Sequence, residues 1–423
     1  MTFRAIEIGL LFCALANSSI TLHGQTGNGL DASPKPPQLP LPSGQFGIGR
    51  IGYDWTDTSR PDRFSSDPNA HRRLMVYLWY PTSQKSSDAK GAYLPGAKQL
   101  EADAGAQAAM RDDHGVNWPL IVSGAIYSHA VENAPVAKGP MKFPTIVLSH
   151  GSGGSGFGYT SLIEDLVSHG YVVAAIEHTY GAGAVVFPTG EIVLQHHDPV
   201  PAGLSPDERF KRMAESIGAG ITEGAADVRF VLDKLTALNK GESDRSPLAG
   251  RLDLSEAAAM GHSAGAEFAA RACQLDARFK ACVDLDGGMV PVAALPEYPD
   301  GATQKQPLLF LEADHPGPKM FGTPEQHAAY FKKKDEQFKT CCPPGSYAVE
   351  LRSPGITHGS FSDDPLLEAG DRVADADVAR HNLDLIETYV RTFLDVTLQG
   401  RKETLFDGNS AQTSEVALRN IGH

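Results

Sequence analysis

The sequence predicts an α/β fold, a mostly parallel central sheet flanked by helices, with a small cap or lid insertion. Two observations carry this. The runs "FPTIVLS" (143–149) and "YVVAAIE" (171–177) are continuously apolar, as expected of parallel strands buried on both faces. Helical patterns such as "AADVRFVLDKLTAL" (225–238) separate the apolar runs, and strands alternating with helices mean a mostly parallel sheet.

The elements follow in chain order. Arg4, the apolar stretch "LLFCALA" (10–16) and the pair Ala14 and Ala16 have the charge, the hydrophobic core and the small-residue cleavage pattern of an export signal. Residues 1–24 are therefore expected to be a signal peptide, and the protein secreted or periplasmic. The apolar stretch is too short for a transmembrane helix, and no other run is long enough. Residues 25–45 are rich in Pro, Gly, Gln and Ser and are expected to form an extended linker. The domain is expected over residues 46–400, where the texture changes from about Gly47, and "RRLMVYLWYPT" (72–82) is a strand ended by proline. Residues 181–223 are loop-like and then helical, the lid candidate. The short apolar runs "ACVDLDGG", "PLLFLEAD" and "YAVELRSPG" each end in polar or glycine residues, and "HNLDLIETYVRTFLDVTL" is the last helix. Residues 401–423 are expected to be a frayed tail.

Composition narrows the function. The chain has 423 residues, 41% of them hydrophobic, and a formal net charge of −14. An acidic balance argues against a nucleic-acid partner, whose phosphates need a basic face. Cys273, Cys282, Cys341 and Cys342 remain once the leader is set aside. In an exported protein these could pair, and free thiols are the alternative. No Cys/His zinc spacing occurs. "QHHD" (His196, His197, Asp198) reads as a polar lid loop, so no metal is expected.

The main local signal is "AAAMGHSAGAEFAA" (257–270), which holds Gly261-His262-Ser263-Ala264-Gly265, a G-x-S-x-G pattern. A serine on a sharp strand-to-helix turn projects its hydroxyl at the sheet edge, and the flanking glycines let strand and helix pass closely. The preceding "SEAAAM" is a poor strand by propensity. A serine nucleophile needs a base and an acid that orients it. In this architecture the acid and then the histidine follow the serine in the chain. His358, glycine-flanked on the loop "GITHGSFSD", is the candidate base. His327 and His381 sit in helical patterns, and His315 follows the previous strand too closely. Asp286 and Asp314 each end a strand, and spacing alone leaves both open as the acid; Asp284 shares a strand face with Asp286.

The stretch "SHGSGGSGFG" (149–158) has two readings. Gly151 to Gly156 fits G-x-G-x-x-G, with Glu177 where a dinucleotide fold places its ribose-binding acid. The same loop suits an oxyanion hole, built from the backbone amides of Ser152 and Ala264. The dinucleotide reading needs a hydride-transfer site. Tyr330 and Lys334 have one such spacing, yet no serine lies at the expected distance upstream. The oxyanion reading is preferred, with no cofactor; a non-catalytic binding protein on the same fold is a further alternative.

Together, "FPTIVLSHGSGG", "LVSHGYVVAAIEH", "GHSAGAEFA", "DARFKACVDLDGG", "PLLFLEAD" and "THGSFSD" resemble the plasma-type (isoform II) platelet-activating factor acetylhydrolase family of α/β-hydrolases, over roughly residues 46 to 395. The resemblance implies a serine carboxylester hydrolase with Ser263 as nucleophile, His358 as base and Asp286, rather than Asp314, as the acid. It also implies the Ser152 and Ala264 amides as oxyanion donors. Ala264 and Ala266 depart from the family's elbow, and residues 181–223 diverge. The ester is therefore left open among short-chain, lipid and polyester substrates.

Overall fold

The computed structural model describes residues 36–84, 91–139, 141–196, 201, 203–242, 246–287, 303–314, 332, 336, 338–407 and 413–422. Its strands are β1 (Gly47–Pro61), β2 (His71–Thr82), β3 (Gly91–Ala92), β4 (Tyr127–Ser128), β5 (Ala130–Glu132), β6 (Phe143–Ser149), β7 (Val172–Glu177), β8 (Ala184–Val186), β9 (Ile192–Leu194), β10 (Leu252–His262), β11 (Phe279–Leu285), β12 (Leu308–Ala313), β13 (Tyr347–Leu351) and β14 (Val416–Asn420). Its main helices are α1 (Ala97–Ala102), α2 (Ala104–His114), α3 (Trp118–Ser123), α4 (Thr160–Ser168), α5 (Pro206–Lys240), α6 (Ala264–Leu275), α7 (Asp364–Ala369) and α8 (Val373–Gln399).

Ten strands form one sheet, in the order β14-β13-β12-β11-β10-β6-β7-β2-β1-β5. From β13 to β7 every neighbouring pair is parallel. The antiparallel pairs, β1 with β2, β2 with β7, and β13 with β14, lie toward the edges. This mainly parallel sheet with helices on both faces is the α/β-hydrolase fold.

The alternation along each strand divides the core into two layers. Ile146, Leu148, Met260, Val283 and Leu309 pack with Leu162 and Ile163 of α4 and Ile386 and Val390 of α8. Their neighbours Val147, Ala259, Cys282 and Phe310 pack on the opposite face with Val228, Val231 and Leu235 of α5 and Ala269 and Ala272 of α6. Helix α5 begins on a capping box, in which Ser205 and Glu208 satisfy each other's amides. It ends on Gly241 in the left-handed region, at φ 73°. Strand β10 forms despite the weak propensity of "SEAAAM". Ala257, Ala258 and Ala259 are fully buried between parallel neighbours, so tertiary packing overrides intrinsic preference.

Two expectations need correction. Residues 401–423 do not form only a tail. Strand β14 pairs antiparallel with β13, from Tyr347 opposite Asn420 to Leu351 opposite Val416. Its alternating pattern, with Val416 and Leu418 buried, is too short to stand out in sequence. The described part of the linker is also docked. Leu39 is buried, the Gln38 amide donates to the Ala125 carbonyl, and the Gly44 and Phe46 amides donate to the Ser168 hydroxyl and carbonyl. The leader, residues 1–24, lies outside the described residues. The lid candidate comprises the β8–β9 hairpin and the first half of α5. Cys273 is bridged to Cys282, joining α6 to β11, and Cys341 is bridged to Cys342 before β13.

The glycines at the β10–α6 turn are sterically required. A Cβ on Gly261 would lie 2.1 Å from the Gly265 carbonyl oxygen, and one on Gly265 would lie 2.3 Å from that of Ser149 and 2.5 Å from that of His150. These are backbone atoms and cannot rotate away. Gly265→Ala is expected to cost about 1–3 kcal/mol, as overpacking of a tight core does. A clear fall in melting temperature by circular dichroism checks this; an unchanged one contradicts it.

Candidate active site

Ser263 sits between β10 and α6 at φ 55°, ψ −123°, a left-handed conformation that non-glycine residues rarely hold. Its amide donates to the Leu285 carbonyl at 3.0 Å, which ties the turn to β11. Its hydroxyl makes no cap for the helix that starts beside it, so the oxygen stays available while the helix N-terminus favours negative charge nearby.

The glycine loop after β6 lies against this serine. A Cβ on Gly151 would come 3.3 Å from the Ser263 Cβ. Ser152 is exposed and Gly151 buried. Among the described residues, the Ser152 and Ala264 amides have no hydrogen-bond partner. Glu177 turns back on this loop. Its buried carboxylate accepts from the Gly156 amide at 2.8 Å and the Ser155 hydroxyl at 3.1 Å, and burial pushes its pKa up to about 8. The acid that a ribose would need is thus engaged in holding the glycine loop itself.

The structure brings Asp286, not Asp314, to His358. Asp286 Oδ2 lies 2.6 Å from His358 Nδ1, and its Oδ1 accepts from the Ala313 amide at 3.0 Å. Asp286 has φ 51°, and its own amide donates to the Leu311 carbonyl at 2.7 Å. Its carboxylate is therefore clamped by β12 and aimed by a left-handed turn just past β11. The Asp284 carboxylate supports that turn by accepting from the Gly287 amide at 2.8 Å. Asp314 ends β12, exposed, with its amide on the Leu351 carbonyl. With Nδ1 on Asp286, His358 Nε2 is the ring nitrogen not engaged by the carboxylate, and no Ser263–His358 hydrogen bond forms in this structure. Such bonds are often long before substrate binds. His381 pairs instead with Glu415, and His315 and His327 lie outside the described residues.

Several residues escaped the sequence reading. His262, the second residue of the G-x-S-x-G pattern, is buried with its ring centroid 4.5 Å from that of His358. His150 Nε2 accepts from the His178 amide, so the proton lies on Nδ1 and donates to the Gly151 carbonyl. His178 lies between the Ser149 hydroxyl, at 3.0 Å, and Asp227, at 2.9 Å; Asp227 in turn pairs with buried Arg72 at 2.7 Å. Nothing in the sequence set Arg72 and Asp227 apart from the other charged residues on β2 and α5; only folding brings them together. His196 packs its ring against Phe64 at 4.2 Å, whereas His197 and Asp198 lie outside the described residues. Among the described residues, no three His, Cys, Asp or Glu side chains are grouped to hold a metal ion.

The family described as platelet-activating factor acetylhydrolase, isoform II, matches residues 33–194 and 219–371. The chain belongs to this family. A probable 1-alkyl-2-acetylglycerophosphocholine esterase from Arthroderma benhamiae is 26% identical over 97% of this chain and 98% of its own length. The platelet-activating factor acetylhydrolase of Canis lupus familiaris is 27% identical over 57% of this chain and 52% of its own. A ferulic acid esterase from Streptomyces cinnamoneus superposes with a TM-score of 0.64 at 27% identity, over 90% of this chain and 99% of that one. This member of the acetylhydrolase family is a carboxylic ester hydrolase. Among its described residues, no helix is long and apolar enough to cross a membrane.

Two buried imidazoles beside the site set an acid limit on stability. Burial first, and then a neighbouring histidine, lowers His150 and His262 from 6.5 to about 3. Unfolded imidazoles take up protons near their ordinary value, while the folded ones stay neutral. The unfolded state thus binds more protons between these limits, and stability falls as the pH drops from 6.5 toward 3. His150→Gln is expected to lose part of this slope. Melting temperatures measured across that range should decline less steeply than in the wild type; parallel curves would contradict the assignment.

Proposed function

We propose that the protein hydrolyses carboxylic esters through Ser263, His358 and Asp286. The observation that carries this is the buried Asp286 carboxylate, 2.6 Å from His358 Nδ1, beside a serine held at positive φ on a strand-to-helix turn. Asp286 keeps the His358 proton on Nδ1, which leaves Nε2 as the base. His358 removes the Ser263 proton as the hydroxyl oxygen attacks the ester carbonyl. The Ser152 and Ala264 amides and the N-terminus of α6 stabilise the resulting oxyanion. His358 Nε2–H then protonates the departing alcohol, and a water attacks the acyl-enzyme by the reverse route.

The substrate read from the relatives is an ester with a short acyl group, acetyl foremost, on a lipid or other alcohol. The β8–β9 hairpin, just before which Ala182 bridges to Gly153 of the glycine loop, and the first half of α5 form the lid that selects it. Gln195 supports this placement, since its amide donates to the Ser152 hydroxyl at 3.3 Å. Export is proposed as well, on the charged and apolar leader and on two disulfides that an oxidising compartment would preserve.

Hydrolysis of p-nitrophenyl acetate tests the nucleophile: Ser263→Ala should lose on the order of 10⁶ in kcat, as loss of a triad serine does. Retained activity would remove Ser263 from the mechanism. Asp286→Asn should lose about 10⁴ in kcat, while Asp314→Asn stays near wild type. The reverse pattern would transfer the acid's role to Asp314.

A further inference from the structure

We infer that Tyr159 and His262 are positioning residues for this reaction, joined in a one-way hydrogen-bond chain that fixes the glycine loop, the nucleophile turn and the histidine loop relative to one another. The inference rests on the proposed roles of Ser263 and His358. Three contacts make the chain. The Gly151 nitrogen lies 3.1 Å from Tyr159 Oη, Tyr159 Oη lies 2.7 Å from His262 Nδ1, and His262 Nε2 lies 3.0 Å from the main-chain oxygen of His358.

Donor chemistry sets the direction of each bond. A carbonyl oxygen only accepts, so His262 Nε2 carries a proton and donates to His358. An amide nitrogen only donates, so Gly151 N–H donates a hydrogen bond to Tyr159 Oη. A neutral imidazole with its proton on Nε2 accepts at Nδ1, and that bond takes the phenol's only proton. Every donor and acceptor in the chain is then used once. A cationic His262 would put a proton on Nδ1, and the phenol would lose its acceptor in a buried site. Burial and the adjacent His358 hold His262 neutral, and burial keeps the Tyr159 phenol protonated.

The three loops joined in this way are the ones the reaction uses. Gly151 precedes Ser152, a proposed oxyanion donor. His262 precedes Ser263. The His358 carbonyl belongs to the residue whose ring is gripped by Asp286. The general base is thus held twice, by its ring through Asp286 and by its main chain through His262. Phe361 stacks with His262, with centroids 5.7 Å apart, and limits rotation of the ring. Breaking the chain frees the loops to drift without removing any group that touches substrate. A displacement near 1 Å at reacting atoms is enough to cost on the order of 10² in rate.

The test compares Tyr159→Phe, His262→Phe, His262→Gln and the Tyr159→Phe/His262→Phe double variant with wild type and Ser263→Ala. The substrate is p-nitrophenyl acetate, and competent sites are counted by titration with diethyl p-nitrophenyl phosphate. Expressing kcat per titrated site removes any loss of folded protein. Each single phenylalanine variant should lose about 10- to 10²-fold in kcat per site with KM changed by less than about twofold. His262→Gln, which keeps an N–H that can reach the His358 carbonyl, should recover part of the loss. The double variant should lose little more than the worse single one, because both break the same chain. Wild-type kcat per site in Tyr159→Phe and His262→Gln, or losses that multiply in the double variant, would overturn the inference even if His262→Phe failed to fold. An active Ser263→Ala would instead bring down the nucleophile assignment on which it rests.

Discussion

The rest of the structure depends on a close approach of backbones at Gly265. Helix α6 begins where the carbonyl oxygens of Ser149 and His150 leave no room for a side chain. That contact presses the end of β6 against the start of α6, so the glycine loop and the nucleophile turn share one surface. Gly261 completes it from the strand side. The left-handed backbone of Ser263 is held because both of its neighbouring elements are pinned in this way, and the cost of that conformation is offset by the packing around it.

The polar groups around this contact are arranged to avoid charge. His150 and His262 stay neutral, each with its proton placed by what the other ring nitrogen meets. Glu177 is buried on the glycine loop with its pKa raised. Asp227 is an exception; it lies fully buried as an anion, between Arg72 and His178. A low-dielectric surround of neutral dipoles strengthens each remaining bond. The Asp286–His358 contact lies beside this neutral surround, through the ring of His262.

Much of this was legible before any coordinates. Continuous apolar runs mark strands buried on both faces, so β6, β7, β11 and β12 were readable, and with them a mostly parallel sheet. The turn at Ser263 was readable because its glycines are needed for a steric reason that sequence spacing exposes. Spacing alone did not separate Asp286 from Asp314, since both end strands and the difference lies in where a left-handed turn points a carboxylate; only the family resemblance favoured Asp286. Strand β14 was missed because five residues carry too little alternation, and the packed segment before Phe46 because its proline-rich composition hides a few specific bonds to Ser168 and Ala125. His262 was in plain view inside the pattern around Ser263. Its partners come from loops distant in the chain, and only folding brings them together.

The edge strand β14 also bears on how the molecule is made. It hydrogen-bonds to β13 from beyond the long helix α8. Until β14 has joined, the outer edge of β13 lacks its antiparallel partner, while β12 and its clamp on Asp286 lie one strand inward, already covered by β13. A nascent chain paused earlier would show β13 paired with β12 on one side only, its outer edge bare, the kind of exposed edge on which incomplete α/β proteins associate.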